Sequence, residues 1–344
     1  MRQIVKSGLI SFAAFTGLAL APSAFAGDSL EIQDFIGTIN WSTGPMSVTI
    51  DSNPGDTKIT GRSNINVTGG YEKIDGSDCK SAYGKFDIEW FGKRNKGHIG
   101  GYKNLEDYPV LEITVPADIR LIIRNAIIFT RGAPDFEAVD IQLRHCGDVT
   151  LGNVKNTLAL DSRGSADVSV ERTGQMVANL KGSGDLTGGD SGDVLLNSKG
   201  SADVELGDIA SLELKIHGSG DVEVGDIDGV VELSSHGSGD TEIGRVNGEL
   251  SYIGHGSGDF EAASVRGPQI YLKSHGSGDI EIGDGAVTDL DVSLSGSGSV
   301  EFSGQADRAD LRTSGSGDVS VGHVLGAANV RSSGSGEIDI DKRG

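Results

Sequence analysis

The chain has 344 residues, of which 53 are Gly and only 5% are aromatic, so its length admits two domains but a large aromatic core is excluded. With 50 acidic residues against 29 basic ones the net charge is −21, which excludes a protein that seeks phosphate backbones. Divalent cations, neutral glycans or a basic partner are more natural company for such a surface.

The first residues read as a leader. Met1–Lys6 is short and basic, Gly8–Ala21 is apolar, and Ala24-Phe25-Ala26 places small residues at a signal-peptidase site. The apolar run is too short for a comfortable bilayer span. The expectation is cleavage after Ala26 and export of residues 27–344 to the periplasm or the cell exterior, without a transmembrane anchor. Losing Arg2 and Lys6 with the leader takes the net charge to −23. In an oxidising compartment the two cysteines, Cys79 and Cys146, are expected to form a disulfide.

Residues 27–143 lack a repeat and read as a β-rich head or cap. Leu30-Glu31-Ile32, Ser47–Ile50, Ile65-Asn66-Val67, Phe86–Trp90, Leu111–Val115 and Leu121–Ile123 alternate as strands. Trp90, Phe91, Arg94 and His98, with Tyr102 nearby, form an aromatic and basic cluster. Its rings are suited to stacking on sugar faces beside cationic donors. They are equally suited to a hairpin with a basic tip whose Trp covers the open edge of the first coil. Cys146 stands in the turn of that coil. A bond to Cys79 would pin the head to the rod, and closing about 67 residues is worth on the order of 4 kcal/mol.

From residue 144 the chain falls into a register on the turn X-G-S-G-D. The fifth position is Asp148, Asp167, Asp185, Asp203, Asp221, Asp240, Asp259, Asp279, Ser299, Asp318 and Glu337, in steps of 18 to 20 residues. A fixed short period is the signature of a solenoid. Within each coil the apolar period is two, as in Val222-Glu223-Val224 and Ile280-Glu281-Ile282. A Gly-containing corner follows, such as Gly225-Asp226-Ile227, and then a second alternating strand such as Leu212–Ile216. Glycines mark the corners through their tolerance of left-handed dihedrals. The predicted fold is all-β: a right-handed parallel β-helix of about 11 coils over 144–344, on the order of 50 Å long.

Stacking turns each repeat position into a column. The position before the first Gly reads Arg144, Arg163, Lys181, Lys199, His217, His236, His255 and His275, then Ser295, Ser314 and Ser333. The Asp column lies four residues on. Carboxylates about 4.8 Å apart repel by roughly 1 kcal/mol even in water. Backbone amides and the neighbouring cations or imidazoles are expected to offset that repulsion, which makes the Asp a structural stitch. Two ligand readings compete with the stitch. Calcium, the candidate cofactor, would bridge Asp221, Asp240, Asp259 and Asp279. Zinc or copper would sit between His217, His236, His255 and His275. The same imidazoles also titrate near 6.5, which makes the middle of the rod acid-responsive.

At these repeats the chain resembles the bacterial head GIN domain family of auto-transporter adhesins. The resemblance rests on the exported start and on serial coils such as Gly182-Ser183-Gly184-Asp185 and Gly315-Ser316-Gly317-Asp318, and it covers roughly Leu30 to Ile340. A strict Gly-Ile-Asn signature is absent, the nearest stretch being Gly37-Thr38-Ile39-Asn40. The resemblance implies a right-handed β-helix similar to pectin-lyase-like folds, an adhesive role and no catalytic set. The leading expectation is therefore a noncatalytic envelope or secreted protein that binds a surface glycan or an envelope protein, not nucleic acid. The alternative is a polysaccharide lyase or hydrolase drawing on Arg245, Arg266, Arg308, Arg312 or Arg331, which break the repeat.

Overall fold

A computed structural model of the protein describes residues 28–33, 35–51, 57–60, 65–68 and 110–344. They form an all-β parallel solenoid of about 12 turns, and no helix occurs among the described residues. The alternating sequence dictates this directly. One face of each short strand is Val, Ile or Leu and turns inward, while the Glu, Asp, Ser or Lys between them turns outward.

Strict register carries equivalent residues into continuous apolar columns. One runs Val204, Val222, Thr241, Phe260, Ile280, Val300 and Val319, each residue paired with the next in parallel. A second runs Met176, Val194, Leu212, Val231, Leu250, Ile270 and Leu290. All fourteen side chains are buried. A third contact line passes through Ile209, Ile227, Val246 and Val265. Together they belong to one uninterrupted core from Leu30 to Val324.

Parallel stacking begins before the first G-S-G-D turn. The strand Arg120–Arg131 (β7) pairs in parallel with the start of Ala138–Gly182 (β8), matching Leu121 to Val139 and Ile123 to Ile141. The two earliest strands, Ser29–Gln33 (β1) and Ile36–Thr43 (β2), lie beside β7, with Leu30 on Leu121 and Ile36 on Ile127. Beyond them come Ile65–Thr68 (β5), which pairs with β1, and Val110–Val115 (β6), which pairs with β2. Ser47–Asp51 (β3) and Thr57–Thr60 (β4) then add in antiparallel sense, β3 on β6 and β4 on β3. The first strands of the chain are thus an inner rung, and the direction of pairing reverses at that end of the stack. Trp41 of β2 is buried there, edge-on to Phe136 at 5.6 Å.

The other end is barer. Ala328–Ser332 and Ile338–Arg343 complete the last rung with mostly exposed side chains, Val330 among them.

Candidate functional site

The repeated turn forms one corner of the solenoid, and its glycines are required by close approach. A Cβ added to Gly237 would stand 1.8 Å from the carbonyl oxygen of Gly218, and one on Gly256 would stand 1.7 Å from that of Gly237. At the second glycine of the turn, Gly239 would meet the Gly220 oxygen at 2.1 Å. The Gly218 and Gly237 oxygens accept the amides of the next coil, from Ser238 and Ser257 N–H, each at 2.9 Å. Left-handed dihedrals explain only the early turns: Gly164, Gly182 and Gly200 have φ of 131°, 148° and 140°, whereas the first turn glycine of later coils has no positive φ. The expectation that dihedral freedom selects these glycines is corrected accordingly, because the space belongs to the neighbouring backbone.

The Asp column is tied into the same ladder. Asp221 Oδ1 accepts the backbone N–H of Asp240 at 2.8 Å, Asp240 accepts that of Asp259, and Asp259 that of Asp279, each at 2.8 Å. Asp279 accepts both the amide and the hydroxyl of Ser299. Each carboxylate therefore satisfies the coil above it. At the start of the column burial and the Asp167 charge push the Asp148 carboxyl above its usual range. Removing one rung tests the stitch. Asp240→Ala leaves the Asp259 amide without its acceptor and should lose about 1 kcal/mol, whereas Asp240→Asn keeps an acceptor and should stay close to wild type in urea unfolding.

The imidazoles form a stack. Ring centroids of His217 and His236 are 5.0 Å apart, those of His236 and His255 4.6 Å, and those of His255 and His275 4.9 Å, with interplanar angles of 3°, 20° and 19°. Lys181 and Lys199 continue the column on one side, in register with His217. On the other side His275 Nδ1 is hydrogen-bonded to the Ser295 hydroxyl. All four rings are exposed at the corner. They flank an open groove of about 1060 Å³ that runs from Gly200 to Ser316 and is lined by His236, His255 and His275 with Ser238, Ser257 and Ser277. Among the described residues no carboxylate and no Phe, Tyr or Trp lines it.

Burial, then the His236 ring and Lys199, hold the His217 imidazole below its ordinary value. Burial, then His236, His275 and Lys273, do the same for His255. A base depressed on folding contributes stability that is present above its unfolded value near 6.5 and is lost as pH falls through the folded value. Urea midpoints should therefore drop between pH 7.5 and 5.5, and the drop should shrink in His217→Gln/His255→Gln.

The His and Asp columns do not pair with each other: the ion pairs among the described residues join other side chains. Of the expected offset to the Asp repulsion, the backbone amides are present, and no ion pair joins the two columns among the described residues. Among the described residues no three His, Cys, Asp or Glu converge into a metal-binding group.

Four of the five repeat-breaking arginines have carboxylate partners, most of them one coil away, and Arg331 has no ion pair among the described residues. Arg245 binds Asp226 and draws its carboxyl below the usual range, and Arg308 holds Asp289 through two 2.7 Å contacts with the same effect. Arg266 reaches Asp284, and Arg312 reaches Asp310 and Asp291. A second Asp ladder at the next corner was not anticipated: Asp190 accepts the Asp208 amide and Asp208 the Asp226 amide, with Arg172 on Asp190 at one end and Arg245 on Asp226 at the other. Its signal was present in the recurring Gly-Asp corners Gly189-Asp190, Gly207-Asp208 and Gly225-Asp226.

Cys146 is fully buried in the first turn. Cys79 and the cluster of Trp90, Phe91, Arg94, His98 and Tyr102 lie outside the described residues, as does the leader. Among the described residues no helix is long and apolar enough to cross a membrane.

Residues 248–344 match a family model described as "Putative auto-transporter adhesin, head GIN domain". The match spans five G-S-G-x turns, from Gly256 to Gly336, including the C-terminal part of the imidazole stack. No curated protein and no solved structure matches the chain.

Proposed function

We propose that the protein is an exported, noncatalytic adhesin whose rod holds a surface glycan or an envelope protein along its repeated corner. The observation that carries this reading is the repetition of the groove: a Gly-Ser step recurs in it from Gly218 to Ser316, with His236, His255 and His275 in the middle rungs, which suits a long, repetitive ligand better than a single reacting bond. The family description over residues 248–344 agrees with an adhesive role. Of the five arginines on which an enzymatic reading would draw, Arg245, Arg266, Arg308 and Arg312 each contact a neighbouring carboxylate, whereas Arg331 has no ion pair among the described residues. Export rests on the Met1–Ala26 leader, and a Cys79–Cys146 bond in the exported chain would fasten residues 69–109 to the first turn. Peptide mapping with and without reductant is expected to give a linked Cys79–Cys146 pair, and two separate thiol peptides would remove the bond.

The test uses the mature chain with a panel of neutral and charged bacterial and plant polysaccharides, followed by size exclusion with calcium and then with EDTA. Co-elution without shortening of the polymer is the expected result. Shortening of any polymer overturns the noncatalytic reading. Loss of co-elution in EDTA would make the Asp column a calcium site as well as a stitch.

A further inference from the structure

The groove has a chemical character that narrows its ligand. It is one-dimensional and open, its lining repeats with every coil, and it offers hydroxyls from Ser238, Ser257 and Ser277 beside imidazoles from His236, His255 and His275. It holds no carboxylate, although the protein as a whole carries a charge of −21. The aspartates across the turn, Asp221, Asp240, Asp259 and Asp279, do not line it and have Oδ1 committed to the next backbone amide. We propose that this imidazole corner is a binding groove for an acidic, carboxylate-bearing polysaccharide, engaged in mildly acidic surroundings and released near neutrality.

The charges that face the rings set when the groove takes an anion. Lys199 acts on His217 and Lys273 on His255, each ring has an imidazole on one or both faces, and no carboxylate is among the groups that shift His217 or His255. Ser295 closes the far end as a hydrogen-bond partner of His275. The fixed charges of the column are Lys181, Lys199 and the Arg positions before them, and near neutrality the acidic rod repels a polyanion. An imidazole that takes up a proton in acid gains a charge and presents donors on both nitrogens. Protonated neighbours less than about 5 Å apart repel, and an anionic chain laid along the column relieves that repulsion at every rung. Small anions would neutralise one rung at a time, so a polymer whose charges recur gains most.

The polymer is assigned as polysaccharide on what the lining offers. A row of serine hydroxyls and glycine backbone matches sugar hydroxyls and carboxylates. Single-stranded nucleic acid calls for aromatic platforms for its bases, and an acidic protein calls for an aromatic or Arg anchor in a pocket; the groove has neither.

The proposal rests on the adhesive reading above, and its test separates the two. Immobilised mature protein is titrated with polygalacturonate, its methyl-esterified counterpart, single-stranded poly-dA and neutral dextran, at pH 5.0 and 7.5. Polygalacturonate should bind at least about tenfold more tightly at pH 5.0, with poly-dA and the esterified polymer far weaker. The variant His236→Gln/His255→Gln/His275→Gln, checked for an unchanged circular dichroism spectrum, should lose that gain. A single His255→Gln should lose part of it if the triple variant misfolds. The proposal is overturned if polygalacturonate binds at neither pH, if the His variants bind as tightly as wild type at pH 5.0, or if poly-dA or the esterified polymer matches polygalacturonate. Binding of dextran or of intact cells without polygalacturonate would leave the adhesive rod standing and remove the acidic ligand.

Discussion

Gly237→Ala is expected to break the rod in its middle. The added methyl would stand 1.8 Å from the Gly218 oxygen, a main-chain atom held by the amide of Ser238, so no side chain can rotate out of the way. The neighbouring coil must move, and with it the register of every column that passes through. Overpacking of well-filled interiors costs about 1–3 kcal/mol, and a backbone obstacle puts this substitution at about 3 kcal/mol or beyond. Because coils are coupled only to their neighbours, a broken rung separates the rod into two blocks. Urea unfolding followed by circular dichroism should change from one transition to two, with limited proteolysis cutting near residue 237. Ser238→Ala, an exposed change in the same turn, should stay within about 0.5 kcal/mol of wild type. Equal stability of the two variants would mean that the coils stand farther apart than described.

Phe302→Ala should be nearly as damaging by the opposite route. Phe302 is fully buried in the column between Ile282 and Val321. Its ring fills the space left by Gly304, where a Cβ would meet ring carbons at 2.6 Å. Truncation leaves a cavity in a stack whose strands are pinned on both sides, so little collapse can refill it. Loss of about 3–5 kcal/mol is expected. Phe302→Leu should recover a large part of it, and a loss below about 1 kcal/mol for the Ala variant would contradict the tight interior.

Much of this architecture is legible from residue order alone. Alternation at Val222-Glu223-Val224 and Ile280-Glu281-Ile282 marks the inward face, and the 18- to 20-residue step marks the register, because a parallel stack has to repeat both. The stitch role of Asp240 was legible as a turn residue, but its partner was not: the amide it accepts belongs to Asp259, one coil on, and only stacking brings them together. The Arg–Asp pairs were missed although Asp226 and Arg245 stand 19 residues apart, as do Asp289 and Arg308. That is the coil period itself, so a search for opposite charges one coil apart would have found them. The stacking of the four imidazoles follows from their column. The absence of acids from their groove does not, since Asp stands four residues after each of the four imidazoles. Least legible was the first end of the rod, where pairing of β1 with β7 skips most of the head and no repeat motif announces it.

The placement of β1 and β2 inside the stack sets an order of assembly. Along the rod each coil closes on the one before it across 18 to 20 residues, so growth is a zipper of short loops. At the first end Ser29 has to meet Arg120, and Thr38 has to meet Val110, across most of the head. Such closures come at a higher entropic cost and are slower. Strand β1 meets β5 early, at Leu30 and Ile65, but its place against β7 and the rod waits for a partner made some ninety residues later.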